Sequence, residues 1–352
     1  MVMNRIKGLL AMAQLVMLAA AGSAFAATGK VYVADEGANT VSVIDAASFK
    51  KVGSIPVGQG PHNVQVSPDG KWVWVTNNGE PAKAAEAAEA MPAEKMPKSG
   101  HGAMAGAGAV WVIDTATDAV TTKIAVGMMP AHVVVAPDGR MAYVANGGEN
   151  SVSVLDTAAQ RVVQTVPVGA MPHGMRISPN GQQLWVANLN GGTVSVIDTA
   201  AQKQVAQIAV GKGPAQVGFT PDGRFGFVSL SKENKVAVID PASRKVIRKI
   251  AVGTVPIQLY ATPDSKLVLV ANQGAPKKPG TTVSVIDLAR MKVAATITTG
   301  AGAHGVVIGR DGGQAFVTNT YAGTVSVIDI AERKVVATVP VGKGPNGISM
   351  LP

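Results

Sequence analysis

The chain has 352 residues, no cysteine, 4% aromatic residues and a formal net charge of +9. Without cysteine it has neither disulfide bonds nor thiolate metal sites, so its stability must come from a hydrophobic core, for which the chain is long enough. The positive charge is compatible with acidic partners such as nucleic acid or anionic lipid, and the positions of the charges must decide between these classes.

Residues 1–26 predict a cleavable signal peptide. Arg5 and Lys7 form a charged start, residues 9–21 are an apolar run broken only by Gln14, and Ala24-Phe25-Ala26 is a small-x-small cleavage signal. The apolar run is shorter than the roughly 20 residues of a transmembrane helix. We therefore expect cleavage after Ala26 and export of residues 27–352, most simply to a bacterial periplasm.

From residue 30 onward the chain repeats one unit. The string TVSVID or a close copy recurs every 42 residues, except for two longer steps of 69 and 47 residues, and it ends at Asp45, Asp114, Asp156, Asp198, Asp240, Asp287 and Asp329. Each unit contains four short strand-like runs, such as HVVVAP, MAYVAN, SVSVLD and RVVQTVPV, separated by turn residues. Four strands in ~40 residues, repeated along the chain, predict the blades of an all-β propeller.

The two chain ends predict how the ring closes. The N-terminal runs KVYVAD, TVSVID and KVGSIPVG supply three strands, and the C-terminal PNGISMLP aligns with PHNVQVSP, the first strand of the next unit. We therefore predict a seven-bladed β-propeller with four-stranded antiparallel blades. Its C-terminal strand joins the N-terminal blade, which removes an open sheet edge.

The repeats YVADEGANTVSVID, YVANGGENSVSVLD and FVTNTYAGTVSVID resemble the YVTN-type (YncE-like) β-propeller repeats of secreted bacterial and archaeal proteins. The resemblance covers residues 30–352 apart from one insertion. It implies the seven-bladed fold and no particular activity, because the family is largely uncharacterised. Related propellers include the haem d1 domain of cytochrome cd1 nitrite reductase and the sugar lactonases. By that analogy alone, His173 or His304 would be an axial ligand of a d1-like haem.

Residues present in nearly every unit are interpreted as architectural. The repeated Asp residues precede a turn whose backbone N–H groups a carboxylate can accept. An Asn recurs at the end of the second strand, with Asp35 and Leu230 replacing it in two units; the Asn positions are 77, 146, 188, 272 and 319. One functional site does not need seven copies, so these residues point to folding.

Basic residues concentrate in the fourth strands, as in Lys50, Lys51, Arg244, Lys245 and Arg248. Charges on the outer wall of a propeller discourage edge-to-edge pairing between molecules, and this interpretation is favoured. The alternative is a basic belt that binds DNA or another polyanion. The few aromatic residues are not interleaved with the basic ones, which argues against stacking on nucleic-acid bases.

All five histidines map to one end of the predicted central channel. His62, His173 and His304 occupy the same position of the repeat, just before the innermost strand, and His132 lies one position later. His101 lies in an insertion that joins a second strand to a third, which ends on the same face. Repeat duplication relates three of the five, so packing or hydrogen bonding between blades is an open alternative to ligand binding.

Six of the ten methionines that follow residue 26 map to the same face. Met128, Met129 and Met171 lie in loops that lead into innermost strands, and the insertion holds Met91, Met96 and Met104. Thioether and imidazole ligands together suit copper, because sulfur favours Cu(I) and imidazole also accepts Cu(II). The eleven histidines and methionines are therefore candidate ligands of copper or another metal, although their spacing matches no fixed motif.

The insertion, residues 80–108, has the Ala-, Pro-, Lys- and Gly-rich composition of a mobile tether. A tether can still supply ligands, because a metal can order a flexible loop at an entropic cost. We expect it to act as a lid or a docking element over the channel mouth.

No constellation in the sequence specifies an enzyme. The mouth has Asp35, Glu36, Glu80, Glu149 and Glu233 without a convincing acid–base pair, and no nucleophile triad, phosphate loop or CxxCH haem motif is present. We expect an exported binding or scaffold protein whose ligand, an unidentified protein or small molecule, meets the channel mouth. The alternatives are a cofactor- or metal-dependent oxidoreductase, or its accessory subunit, that uses a rim histidine, and a polyanion-binding protein.

Overall fold

The computed structural model describes residues 29–79 and 108–351. Within these ranges the chain forms strands β1 to β28 and no helix, arranged as seven four-stranded antiparallel sheets. The predicted all-β, seven-bladed propeller is therefore confirmed. No helix in the described part of the chain is long and apolar enough to cross a membrane. Residues 1–26, the predicted signal peptide, lie outside the described residues.

The first four blades follow the order of the chain from the centre outward, except that the last strand of the chain is the innermost strand of blade 1. Blade 1 contains β28 (Pro345–Met350), β1 (Lys30–Asp35), β2 (Thr40–Asp45) and β3 (Lys50–Pro56). Blade 2 contains β4 (Pro61–Val66), β5 (Trp72–Asn77), β6 (Gly108–Asp114) and β7 (Ala119–Val126). Blade 3 contains β8 (Pro130–Val135), β9 (Met141–Asn146), β10 (Ser151–Asp156) and β11 (Arg161–Pro167). Blade 4 contains β12 (Pro172–Ile177), β13 (Gln183–Asn188), β14 (Thr193–Asp198) and β15 (Lys203–Ala209).

The remaining three blades have the same construction. Blade 5 contains β16 (Pro214–Phe219), β17 (Gly226–Leu230), β18 (Lys235–Asp240) and β19 (Lys245–Ala251). Blade 6 contains β20 (Pro256–Ala261), β21 (Leu267–Ala275), β22 (Lys278–Asp287) and β23 (Lys292–Thr298), and its longer hairpin holds the five-residue insertion. Blade 7 contains β24 (Ala303–Ile308), β25 (Gln314–Asn319), β26 (Thr324–Asp329) and β27 (Lys334–Pro340).

The ring closes through main-chain pairing between the two ends of the chain. Strand β28 is antiparallel to β1, with Met350 opposite Val31 and Ile348 opposite Val33. The Leu351 amide donates to the Lys30 carbonyl over 2.7 Å. The predicted closure by the C-terminal strand is confirmed, and β1 is paired on both edges, with β28 and with β2.

The hydrophobic core lies between the blades. The two middle strands of each blade are buried on both faces, because a neighbouring blade covers each face; this explains why runs such as TVSVID are apolar at nearly every position. Trp185 of blade 4, for example, packs with Val217 and Val228 of blade 5. Each such valine contributes about 1.5 kcal/mol or more by burial, so the stacked blades hold the ring without disulfide bonds.

The repeated polar residues are architectural, as the sequence indicates. Asp114 Oδ1 accepts the backbone N–H groups of Ala116 and Thr117, and an equivalent bond to a turn N–H forms at Asp45, Asp156, Asp198, Asp240, Asp287 and Asp329. These bonds lower the pKa of Asp114, because they stabilise its ionised form.

Asp35 in blade 1 is one of two residues that replace the asparagine at the end of the second strand of a blade, and Leu230 in blade 5 is the other. In blade 4 the corresponding Asn188 Nδ2 donates to the hydroxyls of Thr193 and Ser195. Asp35 instead accepts from the hydroxyls of Thr40 and Ser42 and from the Gly342 amide. Burial raises the pKa of Asp35 above its ordinary value despite these bonds.

We predict that Asp35→Asn stabilises the protein at neutral pH by on the order of 1 kcal/mol, which corresponds to a rise in Tm of about 2 °C. A carboxyl whose pKa is raised by folding stabilises only below its ionisation range, so the neutral amide is the better residue at pH 7. Thermal unfolding at about pH 7 and about pH 3.5 measures the difference, which should shrink at the lower pH. Asn188→Asp is the matched converse, and equal Tm values for Asp35→Asn and the native protein at pH 7 would contradict the prediction.

Candidate metal site in the central channel

Seven innermost strands line the central channel, and four of them carry a histidine near the same end. His62 lies on β4, His132 on β8, His173 on β12 and His304 on β24. Their side chains are 3–8% exposed, so all four rings are buried. The three histidines that share one position of the repeat, and His132 one position later, thus meet at the propeller axis.

A β-bulge at the start of each innermost strand lets side chains from two successive positions of the repeat point into the channel. In β4, Pro61 pairs with Asn77 of β5 and Val64 pairs with Val75, so two residues of β4 lie opposite one residue of β5. The same register shift recurs in β8, β12, β16, β20 and β24. A bulge of this kind re-aims side chains, which explains how His132 meets histidines one column earlier.

Glycine makes room for the neighbouring polar side chain. Where the second position of the strand is His173 or His304, the third is Gly174 or Gly305. A Cβ added to Gly174 would collide with the side chain of Gln216 on the next blade. The crowded axis therefore accommodates one polar side chain from most strands, taken from the second or the third position.

Three of the four histidines form a compact group. One ring nitrogen from each of His62, His132 and His173 lies within 4.8 Å of the other two. The Nε2 atoms of His62 and His173 are 3.2 Å apart. His304 lies beside this group, with its ring centroid 6.4 Å from that of His62.

Hydrogen bonds determine which nitrogen of each ring carries the proton. Asn346 Nδ2 donates to His62 Nδ1 over 3.0 Å, and His173 Nδ1 lies 3.0 Å from the Ala215 carbonyl oxygen, to which it can only donate. His62 therefore carries its proton on Nε2 and donates it to His173 Nε2. All three contacts are satisfied with both rings neutral.

His132 completes the group as a neutral ring. Its Nε2 atom is buried and has no hydrogen-bond partner among the described residues. Burial, followed by the nearby rings of His173, His62 and His304 and the charge of Arg176, holds the pKa of His132 well below its usual value. A buried neutral imidazole whose Nε2 makes no hydrogen bond among the described residues can offer that nitrogen to a metal ion.

Two methionines line the channel mouth above this group. Met129 and Met171 share a small pocket with His62, His173 and Asn78. Both methionines have positive φ angles, 51° and 55°, at a position where four other blades have glycine. The left-handed conformation costs a non-glycine residue about 1 kcal/mol, and such strain is often found at functional sites.

The remaining candidate ligands differ in their placement. Met128 lies in the same loop as Met129, where its amide donates to Glu149 Oε1, but it does not line the pocket. His101, Met91, Met96 and Met104 lie outside the described residues. Gly108, the last residue of the predicted insertion, is the first residue of β6. Asn78, near the point where the insertion begins, lines the pocket.

Sequence reasoning missed one supporting residue, Asn346, and placed Glu36 at the mouth without linking it to the histidines. Asn346 occupies the repeat position of His62, His173 and His304 in blade 1, a signal that comparison of the columns could have found. Its Nδ2 also donates to Glu36 Oε2 over 2.6 Å, and Glu36 lies 3.6 Å from His62 Nδ1. A carboxylate thus stands next to the histidine group at the mouth.

The basic fourth strands are exposed on every blade, as in β3, β15 and β19. Their lysines and arginines therefore surround the propeller instead of forming one patch. This distribution fits protection of the sheet edges better than a dedicated polyanion surface.

The sheets and the channel define a seven-bladed β-propeller with a histidine group at its axis. The family profile of YNCE-like beta-propellers matches residues 102–224 and 275–352, more than half of the chain. The chain belongs to this family, in agreement with the resemblance of its repeats.

Individual relatives match smaller parts of the chain or share its fold. Antigen Lp49 of Leptospira interrogans is 32% identical over 117 residues, which are 33% of this chain and 23% of the length of that relative. A chain of Kuenenia stuttgartiensis hydrazine synthase is 25% identical with a TM-score of 0.66, covering 82% of this chain and 88% of that one. Dihydro-heme d1 dehydrogenase NirN in complex with DHE is 16% identical with a TM-score of 0.65, covering 92% and 75%, and shows the fold alone.

The low pKa of His132 predicts that the metal-free protein loses stability in acid. The unfolded chain binds a proton at His132 below about pH 6.5, whereas the folded protein excludes it, so each further pH unit costs up to about 1.4 kcal/mol. His132→Gln should weaken this dependence, since glutamine holds the same position in two other blades. Thermal unfolding with a chelator, from about pH 7.5 to about pH 5.0, measures both slopes, and parallel curves would contradict the prediction.

Proposed function

We propose that this protein is an exported binding module whose central channel holds a copper ion between His62, His132 and His173. The observation that carries the proposal is the convergence of the three buried imidazoles from three adjacent blades. Neutral imidazoles without cysteine or carboxylate ligands suit late transition metals, whereas Mg²⁺ and Ca²⁺ prefer oxygen.

The spacing of the nitrogens fits one metal ion. Two imidazoles at about 2.0–2.1 Å from a metal in tetrahedral geometry have nitrogens roughly 3.3 Å apart. The Nε2 atoms of His62 and His173 are 3.2 Å apart, so these two rings need little movement. The third nitrogen, within 4.8 Å of both, has to move by about 1–2 Å to reach the same distance.

Metal binding would replace the proton that His62 shares with His173. His62 would then carry its proton on Nδ1 and donate it to Glu36 Oε2, now 3.6 Å away, or to Asn346 Oδ1 after rotation of the amide. His173 already donates from Nδ1 to the Ala215 carbonyl. Such outer partners fix the orientation of ligand rings, and the Glu36 carboxylate would offset part of the charge of the metal.

The methionines favour copper over zinc. Met129 and Met171 share the mouth pocket with His62 and His173 and are held in strained backbone conformations. Thioether sulfur is a soft ligand that prefers Cu(I), and zinc gains little from it. The pair would receive Cu(I) at the mouth, and residues 80–107 would cover or extend this site as a lid.

Export is part of the proposal and rests on residues 1–26. In an oxidising compartment, ligation by imidazole and thioether avoids the disulfide formation that would inactivate thiolate ligands. A chain without cysteine is consistent with that solution. The protein would act there as a copper-binding scaffold that presents its mouth to a protein or small-molecule partner.

We expect residues 27–352 to bind one equivalent of copper with a Kd that weakens about 100-fold or more in each of His62→Ala, His132→Ala and His173→Ala, since loss of an outer partner alone costs 10–100-fold. His304→Ala is the matched control, because His304 is equally buried but lies outside the group. Isothermal titration with Cu(I), Cu(II) and Zn(II) measures the affinities. No saturable binding, or equal weakening by all four variants, would refute the site.

The methionines and the insertion are tested in the same titration. Met129→Leu with Met171→Leu should weaken Cu(I) binding while Cu(II) binding changes little, and Met128→Leu is the control from the same loop. Deletion of residues 80–107 measures what the insertion contributes. A preference for Zn(II) over both copper states would remove the proposed role of the methionines.

A second candidate function is a cofactor- or metal-dependent oxidoreductase, or a subunit of one, that uses a channel histidine. It is supported by the 25% identity to a chain of hydrazine synthase over 82% of this chain. An absorbance spectrum of protein purified from its native host tests this candidate. A visible cofactor band, such as that of haem, is its expected result, whereas a spectrum with only the 280-nm protein band would contradict it.

A further inference from the structure

Arg176 is the single charged residue on the seven innermost strands. These strands read PHNVQV, PAHVVV, PHGMRI, PAQVGF, PIQLYA, AHGVVI and PNGISM. No aspartate or glutamate occurs on them, so the channel wall itself offers no negative charge. A cation in a confined space is costly unless an anion or water compensates for it.

The guanidinium of Arg176 is held by an aromatic ring and not by a carboxylate. Its Cζ lies 5.0 Å from the centroid of Tyr260, two blades away. The same position on the intervening β16 is Gly218, so no side chain separates them. Among the described residues, no carboxylate forms an ion pair with Arg176. Stacking on a ring leaves the N–H edge of a guanidinium available for an anion.

The space around Arg176 is polar and lies further along the innermost strands from the mouth than the histidine group. This space, the Arg176 chamber, has a cavity volume of about 30 Å³ and is lined by His132, Gln216, Gln258 and Tyr260 as well as Arg176. Gln216 and Gln258 are 3% and 6% exposed. Their Oε1 and Nε2 atoms, respectively, are buried without a hydrogen-bond partner in the described part of the chain.

We propose that the Arg176 chamber binds a small oxyanion, of the carboxylate, nitrate or phosphate type. The N–H groups of Arg176 donate to two oxygens of the anion, and the side-chain amide of Gln258 donates to it as well. Planar or tetrahedral oxyanions match the fork of a guanidinium, whereas a monatomic anion uses only part of it.

The anion site is distinct from the copper site but shares a wall with it through His132. A metal cation on the three imidazoles adds positive charge to a channel that already holds Arg176. We therefore expect copper to strengthen anion binding, and the anion to strengthen copper binding by the same factor. The anion site itself needs no metal, because its donors belong to the protein.

Isothermal titration of copper-free protein, residues 27–352, with formate and with inorganic phosphate at low ionic strength tests the proposal. We expect one saturable equivalent of at least one of the two, with a Kd that weakens about 10-fold or more in Arg176→Gln. The Kd of Arg176→Lys, which keeps the positive charge but loses the planar guanidinium, should lie between the Kd of the native protein and that of Arg176→Gln. Arg140→Gln is the matched control, since the side chain of Arg140 is 82% exposed.

Absence of saturable binding of both anions to the native protein would overturn the proposal. Equal affinity in Arg176→Gln, or equal weakening in Arg140→Gln, would also overturn it. Circular dichroism and thermal unfolding of each variant establish that it is folded, and Arg176→Lys provides the comparison should Arg176→Gln not fold. Because the titration contains no copper, its outcome is independent of the copper proposal.

Discussion

The narrow axis of the propeller is the constraint on which the candidate site depends. Seven innermost strands converge on one channel, and the side chains that they direct inward have to share very little space. Two imidazoles from different blades lie 3.2 Å apart, and Gly174 is required where Gln216 needs room. At this density each polar group has to find a partner among its neighbours or bind something from solution.

Apolar burial between the blades offsets the free-energy cost of crowding polar side chains at the axis. The middle strands of each blade bury apolar surface against the neighbouring blades, away from the channel, and this burial stabilises the ring. The pairing of β28 with β1 closes the ring. Stability supplied by the outer strands allows two methionines in strained conformations, the single arginine of the innermost strands and a His132 Nε2 without a hydrogen bond to any described residue to persist at the axis. Sites of this kind are expected to depart from local rules that the rest of the chain obeys.

The repeat makes much of this fold readable from sequence. A 42-residue period, the strand-ending Asp residues and the matching chain ends determine the blades and their closure. The column logic also predicts that His62, His173 and His304 share one end of the channel. The repeat does not predict which rings touch. That depends on the bulge in the innermost strands and on whether a strand carries its polar side chain at its second or its third position. His132 joins the group through that bulge, whereas His304, in the favoured column, stands beside it.

The sequence gives no sign that Arg176 is special, because its importance depends on the lack of any other charged residue on the innermost strands. Its partner Tyr260 comes from a blade two positions away in the ring. Copper and the oxyanion are thus proposed for two sides of one wall. Anomalous diffraction at the copper edge, from crystals of copper-loaded protein, would locate the metal. We expect one peak about 2.0–2.2 Å from ring nitrogens of His62, His132 and His173. A peak on the outer strands, or none in the channel, would contradict it.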